Sequence, residues 1–308
     1  MTYELPYVIY TPGGSIDMSE RISGKNTYEE EGSLSMTYVS MVRGSVPFLA
    51  LSYIIPNWDI VKTSNVTYEG DDLDKTVEID KIYMEEAISN AEYVAYNKAG
   101  IDYIETATHN KVTYISEDAK TKLSHGDEII SVDGIAYTTL SDLQKYIKTK
   151  NIGEVITIKY ARGKKEKSDN VTLIEIDGEP KAGISIATIT DFDTDFDIEV
   201  KTKTSESGPS GGLITALEIY NKITEEDITR GLKIMGTGTI SKDGTVGEIG
   251  GVKYKLIGAV KADADVFICP KENYEEAQRV ANENKYDIIV LYASNFDEAL
   301  EKITNLED

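Results

Sequence analysis

Histidine is nearly absent from this chain of 308 residues: there are two, His109 and His125. Both come well before the glycine-rich stretch around Ser210, so a Ser-His-Asp arrangement is not expected and acyl-transfer chemistry has to find its base elsewhere. Cysteine is scarcer still. The single thiol, Cys269, lies in an apolar strand-like run, has no internal disulfide partner and reads as a small buried hydrophobe. Cations are outnumbered, 32 Lys and Arg against 54 Asp and Glu, and the net charge of −22 repels nucleic acid and anionic membrane surfaces. Nucleic acid is therefore excluded as a partner. No apolar run approaches the roughly 20 residues that span a bilayer, and no cleavable signal pattern follows Met1, so the chain as written reads as soluble. A Gly-x-x-x-x-Gly-Lys-Ser/Thr phosphate loop is also missing, because Gly250-Gly251-Val252-Lys253 has the wrong spacing. Any activity is expected to run without ATP and without a cofactor.

Metal is not expected either. Asp191, Asp193, Asp195 and Asp197 alternate, but the glycine and final glutamate positions of a calcium loop hold Phe196 and Thr202, which leaves a solvated acidic loop. His109 and His125 read as exposed loop histidines.

What is present is a serine in a telling setting. Gly208-Pro209-Ser210-Gly211-Gly212 makes a tight turn, and Leu213 to Tyr220 after it reads as an apolar helix. Ser210 then sits at a helix N-terminus, where outward backbone N–H groups form an oxyanion site that Gly211 and Gly212 let a carbonyl approach, with Gly208 and Gly211 as its backbone residues. Taken alone, the turn also reads as a plain helix cap. A serine hydroxyl needs a base, and a lysine serves if an apolar pocket lowers its pKa from about 10.4 to about 7 or 8. Two lysines, Lys253 and Lys255, follow Gly250-Gly251, with Ile249, Val252, Leu256, Ile257 and Val260 around them.

Three ordered motifs, Gly208 to Leu213, Thr237-Gly238-Thr239-Ile240, and Gly244 to Gly251 running into Lys253 and Lys255, resemble the proteolytic domain of the Lon protease family. The resemblance implies that Ser210 is the nucleophile and Lys255, the second lysine, the base. Thr237 would orient the dyad, with Lys253 left as a solvated lysine or substrate contact. It continues to Ala262 to Pro270, which looks like the family's final core strand. Ser207, Gly211 and Thr239 depart from the family's usual acidic residue, alanine and glutamate, a difference that concerns the shape of the substrate site and not its reacting groups.

Between Gly100 and Gly178 short alternating strands are broken by glycines. Leu123-Ser124-His125-Gly126-Asp127-Glu128-Ile129-Ile130-Ser131-Val132-Asp133-Gly134 resembles the Leu-x-x-Gly-Asp-x-Ile-x-x-Val-Asn/Asp-Gly segment of PDZ domains, followed by a helix with Leu140, Leu143 and Ile147, a strand from Val155, a hairpin at Arg162-Gly163-Lys164 and a strand from Val171. PDZ domains add an extended peptide to an exposed strand edge. The expected edge is Val112-Thr113-Tyr114-Ile115, with Val112 and Tyr114 as peptide contacts and His109-Asn110-Lys111 as the carboxylate loop.

Ahead of this module, Leu34 to Val42 reads as a strand and Val77 to Lys98 as an amphipathic helix whose Met84, Ala87, Ala91, Val94 and Ala95 face a core. Lon proteolytic domains also begin with strands and then a helix. The expected architecture is thus α+β: a Lon-type proteolytic domain of residues 1–99 and 179–308 with an inserted PDZ domain, a small β-rich barrel with helices, at 100–178. The implied activity is an ATP-independent serine endopeptidase acting on protein or peptide substrates. The alternative is a non-catalytic peptide-binding scaffold. Whether identical subunits form a ring, making a homo-oligomer, stays open. The whole order is similar to PDZ-containing, Lon-like proteases of Gram-positive bacteria, whose members carry one N-terminal membrane helix. Met1 to Tyr10 shows no such helix, so the expected location is extracytoplasmic and membrane-anchored with the anchor trimmed away, or else cytoplasmic.

Overall fold

The computed structural model describes residues 5–137 and 139–306. The reading of Met1 to Tyr10 as free of a membrane helix falls partly on residues 1–4, outside the described residues. No described helix is long and apolar enough to cross a membrane.

Two sheets organise the chain. The first joins strands from both ends of the sequence: β1 (Tyr7–Asp17), β2 (Ser33–Arg43) and β3 (Asp59–Lys62) from the start. The second sheet is built between them, from β4 (Ile104–Ile115), β5 (Glu128–Val132), β6 (Val155–Arg162), β7 (Lys165–Thr172) and β8 (Ile184–Asp193). The chain then returns to the first with β9 (Lys233–Gly236), β10 (Val266–Pro270) and β11 (Ile289–Ala293). The first sheet runs β11-β10-β9-β2-β1-β3, and the second β8-β4-β5-β6-β7. In the first sheet β11, β10, β9 and β2 are mutually parallel, while β1 is antiparallel to β2 and β3. β10 reads as an unbroken apolar run because both its faces are covered. It is not the last strand, as expected for Ala262 to Pro270: a helix, α6 (Lys271–Asn284), carries the chain on to β11.

Between the sheets lies the helix that the sequence periodicity marks out, α2 (Leu73–Ala99), which follows the short α1 (Val46–Ser52). Asp72 caps α2 by accepting from Lys75 N at 2.9 Å, and Gly100 ends it in the left-handed conformation. Ala87, Ala91, Val94 and Ala95 face the core as expected. Met84 does not; it is half-buried and lines a cleft described below. The same helix is tied to β8, where Ser89 Oγ accepts from Thr190 N and donates to Thr190 O, both at 2.9 Å. Glu86 accepts from Thr188 N at 2.8 Å.

The second sheet does not stop at Gly178. β8 pairs antiparallel with β4 along its whole length, from Ile184 opposite Ile115 to Asp193 opposite Ile104, so the sheet of the expected 100–178 module takes its edge strand from beyond that boundary. Its core is Val112, Leu123, Val132, Leu143, Ile156, Ile158 and their neighbours, with α3 (Leu140–Lys148) as a lid. Asp127, 1% exposed, ties the module together: it takes a two-pronged contact from Arg162, Nε to Oδ1 and Nη2 to Oδ2, each 2.7 Å, and also accepts from Ser124 N.

Candidate active site and peptide groove

Ser210 sits in a single 3₁₀ turn, Pro209–Gly211, that runs straight into α4 (Gly212–Ile223). Gly208 opens the turn at φ +95°, a conformation that glycine adopts without strain. The turn is clamped from several directions. Gly208 N donates to Asp80 O of α2 at 2.9 Å, Gly238 N donates to Ser210 O at 2.8 Å, and Leu213 N donates to Gly238 O at 3.0 Å. Gly208 was expected to offer backbone room or an N–H to the oxyanion. Its N–H is already spent on Asp80, so it contributes by conformation, while Gly211 lines the cleft. A Cβ at Gly211 would lie 2.6 Å from Met36 Sδ, which accounts physically for glycine where the Lon pattern has alanine.

Lys255 projects from α5 (Val252–Lys261), whose first turn is set by Gly251 at φ +71°. Its Nζ lies 2.9 Å from Ser210 Oγ and 2.8 Å from Thr237 Oγ1. Thr237, wholly buried, donates its own hydroxyl hydrogen to Ser210 O at 2.9 Å. That assignment fixes the rest. Because the Thr237 hydrogen is committed, its oxygen can only accept from Lys255, which directs the amine's remaining valences, lone pair included, toward the Ser210 hydroxyl. Lys255 is 3% exposed, and burial pulls its pKa down to about 7. Among the described residues no carboxylate pairs with it to restore the charge. The amine is therefore mostly a free base from about pH 7 up to about 10.4, a range in which an ordinary lysine is protonated.

Lys253 faces elsewhere. Its Nζ lies 2.8 Å from Asp59 Oδ2, an oxygen that also accepts from Tyr254 OH at 2.6 Å. It is neither solvated and unpaired nor a cleft residue, as its expected role required.

The cleft over Ser210 has a volume of about 960 Å³. β1 and β2 form one wall, α2 another and residues 200–207 the third. A second cavity of about 790 Å³ adjoins it at the meeting of α2, β4 and β8, and Met84, Ile88, Val200 and Glu206 line both.

The expected peptide edge is not an edge. Val112 is fully buried and Tyr114 partly exposed, and both belong to β4, which is covered on both sides: Ile186 and Ser185 of β8 stand opposite them, while Val112 N donates to Asp127 O. His109-Asn110-Lys111 is the middle of that strand rather than a loop. His109 is held there between Glu128 Oε1 at 2.7 Å and Asp191 Oδ2 at 3.2 Å, contacts that raise its pKa. Asp191 and Asp193 accordingly lie in β8 and not in an acidic loop.

Two strands end this sheet, β7 and β8, and it is β8 that borders an apolar groove. A groove of about 400 Å³ runs between its start and α3, lined by Ile184, Ser185 and Ile186 on one bank and Leu140, Leu143 and Ile147 on the other. Pro180, Lys181 and Ala182 line it as well. Gly183 has φ +71°, and a Cβ there would lie 2.9 Å from both Ala119 Cβ and Ile174 Cδ1. The signal for this groove was in the sequence, a glycine followed by alternating Ile184 and Ile186, but it falls outside the span assigned to the module.

Comparison with known proteins bears on both regions. Residues 177–305 match the family model described as the Lon protease (S16) C-terminal proteolytic domain, and residues 100–173 match the PDZ domain. Lon protease 1 of Bacillus subtilis (strain 168) is 27% identical over 193 residues, covering 57% of this chain and 23% of that protein. Lon protease 2 of Herpetosiphon aurantiacus is 30% identical over 95 residues, covering 31% of this chain and 11% of that protein. The match thus spans about a quarter or less of these curated relatives. Among solved structures, the PDZ domain of an SdrC-like protein from Listeria monocytogenes is 29% identical, covers 25% of this chain and 85% of that one, and has a TM-score of 0.24. The chain is a mixed α+β protein with a PDZ domain at 100–173 and a Lon-type proteolytic domain at 177–305.

Proposed function

We propose that the chain is an ATP-independent serine endopeptidase with Ser210 as nucleophile and Lys255 as general base. The observation that carries this reading is the 2.9 Å approach of Lys255 Nζ to Ser210 Oγ, where Lys255 is 3% exposed and has no carboxylate partner among the described residues. Ser210 Oγ attacks the scissile carbonyl carbon as Lys255 takes its proton. Backbone N–H groups of the turn at the head of α4 stabilise the oxyanion, and the lysine hands its proton to the leaving amine. Water, activated by the same lysine, then releases the acyl group. Thr237 holds the amine in register throughout.

The proteolytic domain is proposed to be split, residues 1–99 and 179–308, with the PDZ module inserted. The support is that β1 to β3 share one sheet with β9 to β11 and that Asp80 of α2 holds the nucleophile turn. The PDZ module is proposed to select protein or peptide substrates through the β8–α3 groove. The cavity beside the cleft shares Met84, Ile88, Val200 and Glu206 with it and widens the space open to a substrate chain near Ser210. A membrane-anchored location outside the cytoplasm belongs to the same proposal and rests on the family resemblance.

The test is cleavage of casein without ATP by the wild-type chain, Ser210→Ala and Lys255→Ala, each checked for folding by circular dichroism. Cleavage by the wild type alone is expected; cleavage surviving in Ser210→Ala sinks the assignment.

A further inference from the structure

Four of the five described methionines, Met18, Met36, Met41 and Met84, line the cleft that holds Ser210; the fifth, Met235, is buried in a separate core. Thioether side chains are flexible and polarisable, suited to a wall that adapts to varied apolar groups, and they are also the side chains that peroxides oxidise. The four are not equivalent. Met18 is 2% exposed and Met41 42%, while Met36 and Met84 are half-buried. Met36 has its sulfur against the Ser210 turn: β2 places it opposite Gly236 of β9, and its Sδ stands where a Cβ on Gly211 would come within 2.6 Å. On that side another atom fits only if the thioether or the turn moves.

Resting on the proposed nucleophile, we propose that Met36 is a modification site at which a peroxide reversibly shuts the cleft. A sulfur lone pair attacks the peroxide O–O bond and an S–O bond forms. The O–O bond breaks and, for hydrogen peroxide, water leaves, so sulfur is oxidised by two electrons and the peroxide reduced. The new oxygen has two places to go. Toward Gly211 it displaces the turn that carries Ser210. Toward the cleft it sets a polar, strongly accepting group beside the turn N–H groups, where the substrate carbonyl must lie. Either outcome lowers kcat/KM. A dithiol-driven methionine sulfoxide reductase removes the oxygen as water and restores the thioether.

The experiment treats the wild-type chain and Met36→Leu with hydrogen peroxide, maps sulfoxides by peptide mass spectrometry and follows casein cleavage, each protein scored against its own untreated rate. The wild type should lose at least tenfold in step with Met36 sulfoxide and recover with the two epimer-specific reductases, whereas Met36→Leu should keep its own rate within about twofold. Full Met36 sulfoxide with unchanged cleavage overturns the inference, as does an equal loss in Met36→Leu. A loss that tracks Met41 or Met84 while Met36 stays reduced overturns it too. A wild-type chain that cleaves nothing before treatment fails at the earlier step, the reading of Ser210 and Lys255, and removes the basis of this one.

Discussion

The proposed Ser210–Lys255 dyad and the proposed peptide groove sit in the same chain but follow opposite rules. Lys255 and Thr237 are sealed in the interior, and their chemistry depends on exclusion of water: burial alone moves the amine into a useful range. The groove depends on the reverse condition, a strand edge left unpaired at one end of an open sheet. A buried site demands particular residue types, whereas an edge site demands only that no other strand occupy the place.

The sharpest break of that contrast is removal of the amine. Lys255→Met, close in size and apolar, should lower kcat on casein by about a thousandfold or more while the fold persists. The same change relieves a buried base. Because the folded pKa is about 7 against about 10.5 for the unfolded chain, the unfolded state binds more protons between those values and stability rises with pH across that window. Lys255→Met should therefore raise Tm more at pH 6 than at pH 10, as scanning calorimetry at both will show; an equal gain at the two values breaks the argument from burial.

Thr237→Val comes next. It keeps the volume but frees the amine from its acceptor and unties Ser210 O, so kcat should fall by roughly ten- to a hundredfold with KM little changed. Steady-state kinetics separates the two terms.

Acidification follows. Activity of the wild type should rise through a midpoint near pH 7 and drop about tenfold for each unit below it, since only the neutral amine accepts the serine proton. A profile that is flat from pH 6 to 9 counts against the base.

The smallest effect belongs to the edge. Leu140→Glu places a charge in the groove bank at an exposed position and should weaken cleavage of a protein substrate several-fold while leaving a short peptide substrate untouched. Equal losses on both would show that the groove does not act separately from the dyad.

The difference also explains how far each region was legible. Ser210, Thr237 and Lys255 could be picked out because glycine turns, a hydroxyl and a lysine in an apolar run are dictated by chemistry. The choice between Lys253 and Lys255 needed the family register, and the structure shows why they differ: one step of two residues along α5 turns the first toward Asp59 and the second toward Ser210. Gly208 and Gly211 were grouped as one device, yet one N–H is taken by Asp80 and the other glycine makes room for Met36. Val112 and Tyr114 were misplaced for a different reason. Alternating apolar residues mark a strand equally well at the centre of a sheet or at its edge.

The sequence by itself determined the two modules, the position of Ser210, the proposed nucleophile, at a helix start and a lysine in an apolar run, because local pattern and side-chain chemistry suffice for these. Only the tertiary structure decided that strands from both ends of the chain share a sheet, that β8 closes the PDZ sheet from outside its expected boundary and that Met36 lies against Gly211. Each of these depends on which distant segments pair, and strand pairing is set by the packing of the whole rather than by the residues of either strand.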